Sequence, residues 1–247
     1  MVEENDGREI VARSCRILGL LGLTKVAMGH VSQLSEDRSR ILIRARGPEE
    51  LGVRYTTAKE IITVDKDGRK IDGPDGLLPP AEVFIHTWLY RTRPDIRSVV
   101  HIHPPTLVLF TVCDKPLLPI YGAFDLDGLN LLIEGVPTYE RSILITNDEL
   151  GRELSAVMDV KPACLMRGHG ITTVGASVEE ATITAIRLNE LAEMNYRAYQ
   201  LGNPRPIPEE DMVQFRNLYS NGNRAAAQAR IRSAWRYYSD LLSDERV

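Results

Sequence analysis

The segment from Arg97 to His103 restricts this chain more than any other stretch of it. Ser98, Val99, Val100 and Ile102 form an apolar run fenced by Arg93-Pro94 on one side and Pro104-Pro105 on the other. It therefore reads as a buried strand between two helices. Residues two apart on a strand point the same way, so His101 and His103 project together. Upstream, Pro79 and Pro80 introduce a helix from about Ala81 to Arg91 that carries Glu82 in its first turn. Downstream, the apolar run Ala163 to Met166 ends in Arg167-Gly168-His169-Gly170, a glycine-flanked turn. One His-x-His alone is equally well explained by two ordinary strand histidines. Three of the five histidines, each beside Gly or Pro turns and joined by a helix-start carboxylate, instead form a donor set for a divalent metal. Such a set leaves coordination positions for a substrate.

Composition narrows the class. At 247 residues the chain is long enough for one large α/β domain, and nothing in it forces two. A net charge of −4 argues against nucleic acid or an anionic membrane surface as the main partner. Cys15, Cys113 and Cys164 are scattered without a Cys-x-x-Cys, which suits a reducing cytoplasm and ordinary core thiols. The acidic, polar start MVEENDGREI reads as no secretory signal, and no apolar run approaches the length of a membrane span. The expectation is a soluble cytoplasmic protein.

Asp6 is positioned to cap a first helix carrying Ile10, Val11, Cys15, Ile17, Leu18 and Leu21, which Gly19 and Gly22 end. Met28 to Ser32 reads as a short strand or turn. Arg40 to Arg46 alternates, with Ile41, Ile43 and Ala45 on one face and Arg40, Leu42, Arg44 and Arg46 on the other. Glu60 to Asp65 and Arg69 to Ile71 flank an Asp-Gly turn as a hairpin. Pro104-Pro105 opens a short helix, and Asn147 and Ser177 announce caps of two further helices, the second running from Val178 to about Leu201. Asn203 to Pro208 is a proline-rich linker to a last helical segment, Glu209 to about Leu242. The fold class is α/β, a central mixed or antiparallel sheet sandwiched by helices. Residues 1–202 form the catalytic body and 203–247 a helical extension, a lid or an oligomer arm.

Gly29-His30-Val31-Ser32, Leu78-Pro79-Pro80-Ala81-Glu82 with His86, Arg93-Pro94-Asp95, His101-Ile102-His103 and Gly168-His169-Gly170 occur in an order and spacing that resembles the class II aldolase/adducin family. The resemblance runs from about Val11 to Leu201. It implies that His101, His103 and His169 hold a divalent metal (zinc, manganese, iron or cobalt) and that Glu82 is the acid/base residue. It also implies a homotetramer with sites at subunit interfaces and a C-terminal tail reaching toward a neighbour.

Departures from the family's sugar-phosphate aldolases point to the substrate. Those enzymes cradle a phosphate with Gly-Asn-x-Ser, a Thr-Gly pair and a Ser-Ser before the glutamate. Here the Asn position is His30, the Thr-Gly region reads Arg44-Ala45-Arg46-Gly47-Pro48, and the Ser-Ser position is Pro80-Ala81. Proline has no N–H and alanine no hydroxyl, so donors that a phosphate needs are missing. What remains is similar to the branch of aromatic and heteroaromatic hydroxy-dicarboxylate decarboxylases, such as those acting on dihydroxyphthalate. In that reading His30, Arg44 and Arg46 contact a small anionic aromatic substrate, the guanidiniums offering planar forks to carboxylate. Three alternatives stand beside it: an aldolase of a non-phosphorylated hydroxy-acid or sugar, an iron-dependent oxygenase of a hydroxybenzoate, and a non-enzymatic adducin-like module. His86 lies one helical turn from Glu82 and either orients it or packs. Tyr219, Trp235, Tyr237 and Tyr238 read as packing residues of the C-terminal helices.

Overall fold

The alternation in Arg40 to Arg46 sorts side chains onto two sides of a sheet: Leu42 enters one apolar core, while Ile41, Ile43 and Ala45 enter another. The computed structural model describes residues 2–220 and 224–244. Its strands are β1 (His30–Leu34), β2 (Ile41–Arg44), β3 (Ile61–Val64), β4 (Lys70–Asp72), β5 (Ser98–Ile102), β6 (Thr138–Tyr139), β7 (Ala163–Met166) and β8 (Gly170–Gly175). They form one sheet in the order β4-β3-β2-β1-β5-β8-β7-β6. Every neighbouring pair is antiparallel except β6 and β7. This is the mixed, mainly antiparallel sheet that the sequence predicts.

The helices are α1 (Val2–Leu20), α2 (Val83–Thr92), α3 (Pro105–Val112), α4 (Leu126–Glu134), α5 (Asp148–Met158), α6 (Val178–Leu201), α7 (Glu209–Ser220) and α8 (Arg224–Asp244). On one face α2 and α5 pack together over β5 and β7. Their core joins Ile85 and Leu89 of α2 to Ile43, Ile62 and Val99 of the sheet. Each such fully buried side chain stabilises the fold by about 1.5–3 kcal/mol. The opposite face is covered by α1, α3 and α6. Onto α6 pack α4 and α8, and α8 also touches α1. Ile231, Ala234, Trp235, Tyr238 and Leu242 of α8 rest against this second core, while Tyr237 is exposed.

Several boundaries differ from expectation. The first helix begins at Val2, not at a cap on Asp6, whose side chain lies outside the described residues. Glu82 precedes the first helical residue of α2 as its cap position. The last helical segment is described as α7 and α8, and the side chain of Tyr219 falls outside the described residues. Helix α4 and the two-residue β6 were not anticipated. Among the described residues no helix is long and apolar enough to cross a membrane.

Candidate metal centre

On β5, Val99 and His101 point toward α2, and across the sheet so do His30, Ser32 and Leu34 of β1. The antiparallel register places His30 opposite His101 and Ser32 opposite Val99. Helix α2 answers with residues at four-residue spacing, Glu82, His86 and Tyr90, which share one face. The third strand at this point is β8, whose Thr172 pairs with His101.

His169 arrives on the tight connection between β7 and β8. Gly168 there adopts φ +60°, a left-handed conformation that lets the chain reverse within a few residues. Its N–H donates to Thr111 Oγ1 at 3.1 Å, anchoring the turn to α3. Gly170 keeps β8 against β5, since a Cβ at that position would meet Ile102 O at 2.3 Å.

The result is a triangle of imidazoles. Ring centroids of His101 and His103 lie 4.8 Å apart, and each is 4.9 Å from that of His169. Glu82 Oε2 stands 3.5 Å from His101 Nε2 and 3.4 Å from His169 Nε2. One ligand atom from each of the four residues falls within 4.8 Å of every other. Glu82 does not cap its own helix. Its Oε1 accepts the Ile145 N–H at 2.8 Å, and that bond turns Oε2 toward the histidines.

Two observations test whether a metal suits these donors. His101 Nε2 and His103 Nε2 face each other at 2.9 Å, so either one proton or one cation lies between the two nitrogens. Both ring nitrogens of His169 are buried with no hydrogen-bond partner among the described residues, although such groups nearly always find one. The protonation states agree. Burial, reinforced by the neighbouring His101 and His169, pushes the His103 imidazole down to about 3. Burial also lowers His101, against the opposing pull of Glu82. Neutral imidazoles are what a metal requires. Burial alone would raise the Glu82 carboxyl, but the close approach of His101 and His169 to its Oε2 outweighs burial and holds it well below the usual carboxylate range. The donor set fits a divalent ion.

Beside this cluster runs a second polar line. His30 Nδ1 lies 2.6 Å from His86 Nε2, His86 Nδ1 lies 2.6 Å from Ser32 Oγ, and Ser32 Oγ lies 2.7 Å from the Tyr90 hydroxyl. Burial, then the neighbouring His101, drives His86 down to about 3, and burial likewise holds His30 well below the ordinary imidazole value. His30 therefore does reach the site, its ring centroid 5.1 Å from that of His101. The sequence analysis gave Ser32 no role beyond its motif and passed over Tyr90, although the signals were present: Ser32 is two residues from His30 on a strand, and Tyr90 is four from His86 on a helix.

The two arginines separate. Arg44 is buried, and its guanidinium is spent on Thr56 Oγ1 at 3.0 Å, the carbonyls of Ala27 and Gly29 at 3.2 and 3.3 Å, and the Glu50 carboxylate. The structure does not bring it to the centre as a substrate fork. By gripping the Gly29 carbonyl it steadies the entry to β1 just before His30. Arg46 spends Nε on Pro79 O at 3.1 Å. It lines a cleft of about 620 Å³ with Pro79, Pro80 and Ala81, the residues that lead into Glu82.

The chain belongs to the class II aldolase/adducin family: the family pattern described as the Class II Aldolase and Adducin N-terminal domain matches residues 9–196. A 3,4-dihydroxyphthalate decarboxylase from Arthrobacter keyseri is 38% identical over 238 residues, which cover 92% of this chain and 95% of that protein. Another, from Terrabacter sp. (strain DBF63), is 38% identical over 224 residues, covering 89% and 93%. Among solved structures, an aldolase II superfamily protein from Pseudomonas syringae superposes with a TM-score of 0.84 over 98% of this chain and 94% of that one. Its identity of 22% speaks for a shared fold. Within the family the chain stands with the dihydroxyphthalate decarboxylase branch, as an enzyme and a carboxy-lyase. The non-enzymatic alternative is set aside.

Proposed function

We propose that the chain is a metal-dependent decarboxylase of an aromatic or heteroaromatic hydroxy-dicarboxylate. The observation that carries this reading is the convergence of Glu82 Oε2 with three imidazole nitrogens in one cluster. His101, His103 and His169 would hold the ion, be it zinc, manganese, iron or cobalt. When bound, it supplies Lewis-acid stabilisation of the negative charge that develops on a ring oxygen as carbon dioxide departs.

The remaining work falls to side chains. Glu82 rests ionised, so it begins as a base: Oε2 takes the proton of the substrate's ring hydroxyl. As the carbon–carboxylate bond breaks, its electron pair stays on the ring carbon, and Oε2 returns the proton to that carbon. The phenolate left on the product recovers a proton from solvent. The Ile145 N–H keeps Oε1 out of this exchange and fixes which oxygen faces the ring. Arg46 offers its remaining donors to the second carboxylate, and that contact selects which carboxylate leaves. His30 reaches the same substrate from β1. Pro80 and Ala81 at the entry to α2 offer no hydroxyl and, at Pro80, no N–H for a phosphate.

The family resemblance supports a cytoplasmic homotetramer with sites at subunit interfaces, residues 203–247 serving as the oligomer arm; light scattering on the purified chain tests it. The enzymatic reading is tested by metal analysis of purified protein coupled to a carbon dioxide release screen over hydroxyphthalates, hydroxybenzoates and pyridine dicarboxylates. Metal near one ion per chain with release from an ortho-hydroxy dicarboxylate is the expected result. Aldehyde formation from hydroxy-acids or sugars without carbon dioxide would replace this reading with the aldolase. Strict dependence on dioxygen and ferrous iron would replace it with the oxygenase.

A further inference from the structure

The polar line beside the metal centre has a direction, and we infer that it sets His30 as a hydrogen-bond donor, through Nε2–H, toward an anionic oxygen of the bound substrate. The substrate half of this inference rests on the decarboxylase reading; the direction of the line does not.

The argument begins at the far end. The Tyr90 hydroxyl is buried, and Ser32 Oγ, 2.7 Å away, is the side chain it bonds. A phenol oxygen can also accept, but its proton needs an acceptor, and leaving a buried hydroxyl proton unpaired costs about 1–3 kcal/mol. Tyr90 therefore donates to Ser32. Serine has one hydroxyl proton, and having accepted from Tyr90 it donates to its other neighbour, His86 Nδ1. An imidazole whose one nitrogen accepts a hydrogen bond carries its proton on the other. Both rings carry a single proton. With Nδ1 of His86 accepting, its proton is on Nε2 and is given to His30 Nδ1. The proton of His30 is then on its own Nε2, which takes no partner among the described residues.

The opposite direction strands the Tyr90 proton and leaves a bare lone pair on His30 Nε2. That lone pair would have no proton to offer an anionic oxygen of the substrate. Ser32, His86 and Tyr90 are thus positioning residues. They present His30 to substrate as a hydrogen-bond donor.

Neutron crystallography of the unmodified, metal-loaded protein reads the direction without any substrate. Deuterons on Nε2 of both His86 and His30, with both Nδ1 atoms bare, are the expected map. A deuteron on His30 Nδ1 overturns the inference. Kinetics with 3,4-dihydroxyphthalate as the probe read its consequence. Tyr90→Phe and Ser32→Ala are expected to raise KM about tenfold, the worth of one neutral hydrogen bond, with kcat within about twofold. Ser32→Thr, which keeps the hydroxyl, restores KM. A fall in kcat at constant KM, or no rescue by threonine in a folded variant, counts against positioning. Absence of turnover by the unmodified enzyme counts against the decarboxylase reading alone, and the neutron map then decides the direction.

Discussion

His30 of β1 and His101 of β5 are direct partners across the antiparallel pairing, their ring centroids 5.1 Å apart. Yet they belong to different assemblies. His101 turns its Nε2 to His103 and Glu82, whereas His30 turns its Nδ1 to His86. One cross-strand pair is thus the seam between the cluster that suits a cation and the line that governs a donor.

Glu82→Gln separates proton transfer from metal retention. The amide oxygen can still accept the Ile145 N–H, so the local fold should persist. Turnover is expected to fall by about 10²–10⁴-fold, the usual contribution of a general acid–base group, with metal content unchanged. Full turnover in this variant, measured as carbon dioxide release, would remove Glu82 from the mechanism.

His169→Ala tests the cation more cleanly than its two partners do. Its ring nitrogens make no hydrogen bond among the described residues, so deleting them breaks none. Metal-stripped variant and metal-stripped parent should melt alike. Added metal should stabilise the parent, by about 2.7 kcal/mol at a hundred times its dissociation constant, and leave the variant nearly unmoved. Equal metal-induced shifts in the two melts would argue against His169 as a ligand.

The two arginines should fail in different ways. Removing Arg44 leaves a mostly buried Glu50 carboxylate and two carbonyls without their donor, so Arg44→Met is expected to destabilise by on the order of 3–5 kcal/mol in urea titration. Arg46→Ala is expected to cost under about 0.5 kcal/mol while raising KM for a dicarboxylate. The reverse pattern would return Arg44 to the substrate.

Acid should unfold the metal-free protein early. His86 and His103 stay neutral in the fold down to about 3, whereas the unfolded chain protonates them near 6.5. The unfolded state binds more protons in that window, so stability is fully present above about pH 6.5 and is lost as pH falls toward 3. Two such groups give a slope of about 2.7 kcal/mol per pH unit well inside the window. A flat denaturation midpoint between pH 6 and pH 4 would contradict these depressed values.

The clustering of these side chains was legible because it depends on local spacing: His101 and His103 obey the two-residue period of a strand, and Pro79-Pro80 announces the helix that brings Glu82. Sheet class followed from the alternating strand at Arg40 to Arg46 and the hairpin after it. Helix α4 was hidden because Gly128 looks like a break. Its actual reason is contact, since a Cβ there would meet the Asp125 carboxylate at 2.3 Å. Strand β6 has two residues and exists through its pairing with β7, too short to carry any period. Arg44 misled because a charge on a strand suggests an open face, and only the return of Glu50 shows that it is enclosed. The link from Ser32 to His86 joins residues 54 apart, and nothing local records which strand face meets which helix face.

Helix α2 meets the sheet through Glu82, His86 and Tyr90, each four residues from the next. One residue inserted between any two of them would rotate the downstream part by roughly 100° and swing it off the shared face. Descendants of this sequence are therefore free to redecorate the outward side of α2, but length changes within it are forbidden ground. Evolution of new specificity here has to proceed through the rim, with the pitch of that single helix inherited unaltered.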